Sequence, residues 1–211
     1  MKLPTEVFYY GSLFKQPLAA VYNSHQGKII TGNQYFVRNT AKAINALKKA
    51  GYTILSSIGL NTYELATWLI GHFDGTQVIV IPLKQKDNAE RQAQWVLKEF
   101  KLKKSRTGFI FFPAPIPQSR PKLAWQHRDR LIAQLADLIC PISINPRGKL
   151  QKIIKEYEQR GKRINTRFST NYNPFRIRRK QLVGKFSVEL KSLNWNYLVH
   201  WTRTFYGPWP G

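Results

Sequence analysis

Four short stretches of this sequence bring cations, hydroxyls and glycine together in patterns that can hold an anion, and each lies beyond an apolar run of strand length. NSHQGK (Asn23 to Lys28) offers a hydroxyl from Ser24, an imidazole from His25 and an ammonium from Lys28. SSIGLNTYEL (Ser56 to Leu65) sets Ser57 and Gly59 just ahead of a helix start, where free backbone amides and the helix dipole favour negative charge. HRDR (His127 to Arg130) opens another helix. Arg128 is four residues before Ile132 and seven before Leu135, so its stem is expected along the buried face with its head at the rim of the site, oriented by Asp129, while Arg130 turns away. SINPRGKLQK (Ser143 to Lys152) places Asn145, Arg147, Gly148 and Lys149 around a further helix start, a guanidinium fork beside backbone amides that suits a phosphate.

Each stretch also has an ordinary reading: a polar turn, a solvated basic helix end, or a cap. Asn61 and Glu64 have the N-cap to N3 spacing of a capping box, which is the first reading of that glutamate. The alternative makes Glu64 the one candidate catalytic carboxylate, facing a ribose or assisting cleavage of an N-glycosidic bond. It has no visible acid–base partner, so binding is expected over catalysis. His25, His72, His127 and His200 are scattered, and neither a P-loop nor a GxGxxG fingerprint is present. Neither a metal nor a cofactor is therefore expected.

The elements that must position these residues follow from hydrophobic periodicity. After an apolar opening, VFYY (Val7 to Tyr10), strands are predicted at 18–23, 52–57, 76–82, 107–113, 137–143 and 162–168, and helices at 36–50, 61–73, 88–100, 125–136 and 149–160. A proline-rich crossing segment, PAPIPQSRP, precedes the fourth helix. Short apolar strands alternating with amphipathic helices predict an α/β fold with a mostly parallel sheet and helices on both faces. Ligands in such folds bind beyond the carboxyl ends of the strands.

Charge sets the class of partner. The 211 residues carry 34 Lys and Arg against 11 Asp and Glu, a formal net charge of +23. Self-repulsion on this scale opposes a compact state unless a polyanion relieves it. Nucleic acid is the leading candidate, and no membrane association is expected, because no basic amphipathic helix with exposed bulky apolar residues stands out. The lone Cys140 lies in the apolar run LADLICPISI and reads as a small buried hydrophobe; with no apolar leader in view, a cytoplasmic setting is expected. The sequence divides into an α/β domain over residues 1–168 and a basic, aromatic C-terminal extension over 169–211. In the extension Arg176, Arg178, Arg179 and Lys180 would track phosphates, with Tyr172, Phe175 and Trp195 as stacking platforms or as packing within the extension itself. Three partner classes stay open: single-stranded DNA or RNA, a small nucleotide ligand at the strand-end rim, and an acidic protein docked by the extension. A homodimer is the default assembly for such a sheet.

The order of these motifs resembles the Rossmann-like domain of the DNA-processing protein A family, within the wider superfamily that includes LOG-like phosphoribohydrolases. The similarity is strongest over HRDRLIAQLADLICPISINPRGKLQKIIKEYEQRGKRI (His127 to Ile164), which matches that family's RNRIIAxLSDxVVVVEA block with its following helix and strand. The family's glycine-serine-arginine turn corresponds to Asn23, Ser24 and His25, and its SGxAxGID helix start is similar to SSIGLNTYEL. The resemblance spans about residues 18 to 168 and implies a Rossmann-like fold and the single-strand DNA binding of a recombination mediator. The first-turn arginine is His25 here, and the phosphoribohydrolase signature PGGxGTxxE is absent.

Overall fold

A computed structural model describes residues 6–12, 14, 16–24, 30, 32–83, 88–113 and 122–171. Among the described residues seven strands and five α-helices follow in the order β1 (Phe8–Gly11), β2 (Leu18–Tyr22), α1 (Tyr35–Lys49), β3 (Thr53–Ser56), α2 (Asn61–His72), β4 (Gln77–Leu83), α3 (Ala89–Glu99), β5 (Thr107–Pro113), α4 (Lys122–Leu135), β6 (Leu138–Pro141), α5 (Lys149–Gln159) and β7 (Arg163–Ile164). The strands form one sheet in the order β1-β5-β4-β3-β2-β6-β7. All neighbours are parallel except β1, which runs antiparallel along β5 with Phe8 opposite Phe111.

The sheet is buried on both faces because successive residues of its central strands serve different cores. Ala19 and Val21 of β2 pack with Ile54, Cys140 and the apolar sides of α1 and α2, whereas Ala20 and Tyr22 pack with Leu55, Ile139 and residues of α4 and α5. Ile79, Ile81, Phe109 and Phe111 complete a third cluster under α3. Helices α1 to α3 therefore cover one face, and α4 and α5 the other. From β2 the chain steps outward through β3, β4 and β5, then crosses by α4 to β6 on the opposite side of β2. That reversal opens the carboxyl ends of β2 and β6 as the place for a ligand.

Helix and strand periods read from sequence match the elements to within a few residues, and the mostly parallel sheet with helices on both faces is borne out. Two strands differ. The opening VFYY contains the edge strand β1, which alternation alone does not reveal in four residues. The predicted strand over 162–168 shrinks to Arg163–Ile164, because the Asn165 side chain accepts a hydrogen bond from the Arg167 amide at 3.0 Å and turns the chain. Cys140 is fully buried, and burial pushes its thiol up to about 12, as a structural cysteine requires. Among the described residues no helix is long and apolar enough to cross a membrane.

Beneath β3 and β4 lies a buried polar cluster. Ser57 donates to the Val80 carbonyl at 2.7 Å, Ser56 donates to Gln77 Oε1 at 3.2 Å, and Thr67 Oγ1 lies 3.0 Å from both Ser56 Oγ and the Ser57 carbonyl. Thr67→Val keeps the shape but strands these partners in an apolar setting, so chemical denaturation should show a loss of about 1–3 kcal/mol with no change of fold.

Candidate nucleic-acid interface at the switch point

Tyr22 ends β2, and its carbonyl accepts the Ile142 amide at 2.8 Å just past β6. Further along, Ser24 N, two residues past Tyr22, donates at 2.7 Å to the carbonyl of Ser143, one residue past Ile142. The loops after β2 and β6 are thus tied together at the switch point. The second loop continues through a turn, Asn145-Pro146-Arg147-Gly148, closed by a 3.0 Å bond from Gly148 N to the Asn145 carbonyl. Proline at the second position and a left-handed φ of 61° at Arg147 are the type II pattern, which ordinarily asks for glycine where the arginine stands. Gly148 is needed for a different reason: a Cβ there would lie 2.9 Å from the Asn145 carbonyl oxygen.

This turn feeds α5 without a side-chain cap on its first amides and with no acid in its first turn. Gln151 instead reaches back to accept the Arg147 amide at 2.6 Å. Asn145, Arg147, Lys149 and Lys152 are all exposed, and Ser24 and Gly148 are partly so. The structure therefore brings Ser24, Asn145, Arg147, Gly148 and Lys149 to one rim, as the sequence predicts. It also adds a residue that sequence reasoning missed. Asn171 grips the Ile144 backbone through both ends of its amide at 2.8 Å, and Thr170 N donates to the Ile142 carbonyl at 2.7 Å. Ser169, Thr170 and Asn171, assigned by sequence to the extension, dock on the rim loop.

The other predicted ligands are elsewhere. Arg128 does not present a cation to the rim: its side chain is 1% exposed. Its Nε and Nη2 donate to Asp129 Oδ1 at 3.1 and 3.0 Å, its Nη1 donates to the Ile58 carbonyl at 3.3 Å, and its guanidinium lies 4.4 Å from the centre of the Tyr63 ring. Tyr63 donates to Asp129 Oδ1 at 2.9 Å, and Tyr22 donates to the Asp129 carbonyl. Burial opposes the cation, yet Asp129 and the two tyrosines more than offset it, so the Arg128 pKa stands above the ordinary arginine value. Burial, and then the neighbouring charges, push both tyrosine hydroxyls well above their usual range. Asp129 does orient Arg128, but from the middle of α4, because that helix begins at Lys122 and not at Trp125. Arg130 turns away as expected and pairs with Glu156 of α5 at 2.6 Å.

Ser57 and Gly59 are likewise corrected. Ser57 is fully buried and spends its hydroxyl on Val80. Gly59, at φ 86°, donates its amide to Glu64 Oε1 at 3.0 Å, so the anion held at this helix start is the chain's own carboxylate. The cap differs from the predicted box. Leu60, not Asn61, is the N-cap, and Glu64 reaches past it to Gly59. Glu64 is buried, and that burial raises its pKa to about 7, with the Gly59 amide and Arg128 pulling the other way. Its side chain is 3% exposed and turned onto the Gly59 backbone amide. His25, Lys28, Tyr172, Phe175, Arg176, Arg178, Arg179, Lys180 and Trp195 lie outside the described residues. Among the described residues no group of acids, histidines and cysteines could hold a metal.

The strand order, the reversal beside β2 and the rim at its carboxyl end define a doubly wound, Rossmann-like protein. More particularly, the fold is similar to part of that of DNA processing protein A. The chain is similar to the Streptococcus pneumoniae structure with a TM-score of 0.55 and 18% identity over 75% of this chain and 53% of that one. It is also similar to the Helicobacter pylori protein, whose structure concerns a single-stranded DNA binding mode, with a TM-score of 0.52 and 15% identity over 76% of this chain and 71% of that one. The chain thus spans about half the length of the Streptococcus pneumoniae protein. No family model and no curated protein matches the sequence.

Two outcomes follow from the buried groups. Asp129→Asn leaves the Arg128 charge buried and unmatched, and denaturant titration should show a loss of about 3–5 kcal/mol. Glu64 has a folded pKa near 7, above its unfolded value of about 4.5, so the folded state binds the extra proton and stability should fall as pH rises from about 4.5 to 7. Glu64→Gln should flatten that slope, whose full size is about 3 kcal/mol, when melting is followed against pH.

Proposed function

We propose that this chain binds nucleic acid, single strands in particular, by gripping phosphates on the rim where β2 and β6 end. The observation that carries the reading is the stiff Asn145–Gly148 turn, which holds Arg147 and Lys149 exposed beside the open amides of α5 and next to Ser24. Guanidinium, ammonium and backbone amides converging on one edge form a phosphate cradle, and preorganisation reduces the ordering cost of binding. The excess of positive charge supplies the long-range attraction. The single-stranded DNA named for the Helicobacter pylori protein supports the choice of partner.

In this reading His25 and Lys28 add to the rim from the loop after β2. The extension contributes further phosphate contacts from Arg176, Arg178, Arg179 and Lys180 and stacking from Tyr172 and Trp195. Asn171, fixed to Ile144, starts that extension at the rim itself. The buried Arg128, Asp129, Tyr63 and Glu64 shape the site from beneath and touch no ligand.

Binding of a fluorescent oligothymidine followed against salt tests the proposal. Replacing Arg147 and Lys149 together with Gln should lower the slope of log affinity against log salt by about 1.4, since each single-strand phosphate contact contributes about 0.7. An unchanged slope would remove the rim from the binding surface, and a melting temperature raised by mononucleotides and indifferent to the oligonucleotide would replace this reading with a small-ligand site.

A further inference from the structure

The opposite pole of the sheet carries a second concentration of positive charge that the rim does not use. There the chain enters three adjacent strands, β3, β4 and β5, from the ends of α1, α2 and α3. Lys48 and Lys49 close α1, Lys98 closes α3, and KLKKSR then brings Lys101, Lys103, Lys104 and Arg106 before β5. All seven are exposed. Asp74, between α2 and β4, binds Lys103 at 3.0 Å and Arg106 at 3.2 Å, while Lys48 donates to the neighbouring Phe73 carbonyl. Asp74 thus faces three cations, which hold its carboxyl below the usual range, chiefly through the Lys103 hydrogen bond. Lys49, Lys98 and Lys104 form no ion pair with a described residue.

Complementing helix dipoles accounts for Lys48, Lys49 and Lys98. It does not account for four cations in the six residues beyond α3. That loop is rigidly pinned. Leu102 is buried, its amide donates to the Leu97 carbonyl at 2.9 Å, and it packs so closely on α2 that a Cβ on Gly71 would lie 2.6 Å from it. Lys101 sits at φ 50°, residues Lys104–Arg106 form a 3-10 turn, and Ser12 donates to the Lys104 carbonyl at 3.0 Å. Like charges are therefore held together on a fixed frame, an arrangement that opposes folding and favours an extended polyanion.

We infer that this pole is a second nucleic-acid backbone contact, formed by Lys49, Lys98, Lys101, Lys103, Lys104 and Arg106 and separate from the rim. It reads no bases, since the aromatic rings near these loops are engaged within the protein, Tyr52 and Phe73 against the core and His72 stacked on Trp68, and so it takes any strand by its phosphates. A lipid surface fits less well. The exposed large apolar residues among the described ones are Val7, Tyr9, Tyr35 and Trp95, and none stands on these loops. With contacts at both ends of the sheet, one molecule can hold two strands or two parts of one.

The test uses the full chain and a forty-residue oligothymidine, again read as affinity against salt. Lys49→Gln with Lys98→Gln and Lys104→Gln removes charges that make no ion pair with a described residue, so the melting temperature should hold while the slope falls by about 2. A control with Lys42→Gln, Arg91→Gln and Lys155→Gln removes equal charge elsewhere and should change the slope far less. Equal changes in both variants, or none in the first, would overturn the inference. So would loss of binding to phosphatidylserine vesicles in the first variant with its oligonucleotide slope intact, which would make the pole a membrane contact. The rim variant is measured in parallel. If it keeps the wild-type slope while the pole variant loses slope, the rim reading fails and this one stands.

Discussion

A charge taken out of water must be met inside the protein, and here that requirement falls on Arg128. Its buried guanidinium is matched by Asp129, covered by the Tyr63 ring and bonded to the Ile58 carbonyl. These partners belong to α4, to α2 and to the loop after β3, so the pairing sets where the three meet. Tyr22 extends the constraint to the end of β2 through the Asp129 carbonyl, and the Tyr22 carbonyl passes it to Ile142 beyond β6. A continuous series of bonds therefore runs from the buried ion pair to the loop that presents Arg147. Net stabilisation from such a pair is small, because desolvation offsets most of the attraction. Its contribution is to fix one arrangement of strand ends.

The protein separates its charges into two kinds. Arg128, Asp129 and Glu64 are buried, matched by specific partners and directed inward. Arg147, Lys149 and Lys152 at the rim, and the lysines at the far pole, are exposed on helix ends and the well-held turns beside them. A solvated surface cation contributes little to folding, and many together oppose it. The buried set is explained by what it holds in place, whereas folding alone does not explain the exposed set.

Much of this was legible in the residues. Alternation and helical spacing located the strands from Leu18 to Pro141 and all five helices, because each buries a continuous apolar stripe. The rim at Asn145 to Lys149 was legible because proline, glycine and a helix start announce the turn. Arg128 was misplaced for a physical reason: the same spacing to Ile132 and Leu135 serves a head that reaches water and a head that meets Asp129 in the interior. Only the positions of Tyr63 and Ile58, distant in sequence, decide between them. Glu64 likewise shows the right residue type for a cap, but the two-residue shift of its partner from Asn61 to Gly59 depends on the left-handed turn ahead of α2. Asn171 carried no signal, since an asparagine bonding a distant backbone has no local pattern.

The most direct measurement of the central claim is a crystal structure of the full chain with a short oligothymidine bound. The account predicts a phosphate at the Arg147–Lys149 turn beside Ser24, with Arg128 still paired to Asp129 beneath it. A phosphate held by Arg128 released from Asp129, or an oligonucleotide bound without any contact to the β2 and β6 loops, would contradict it.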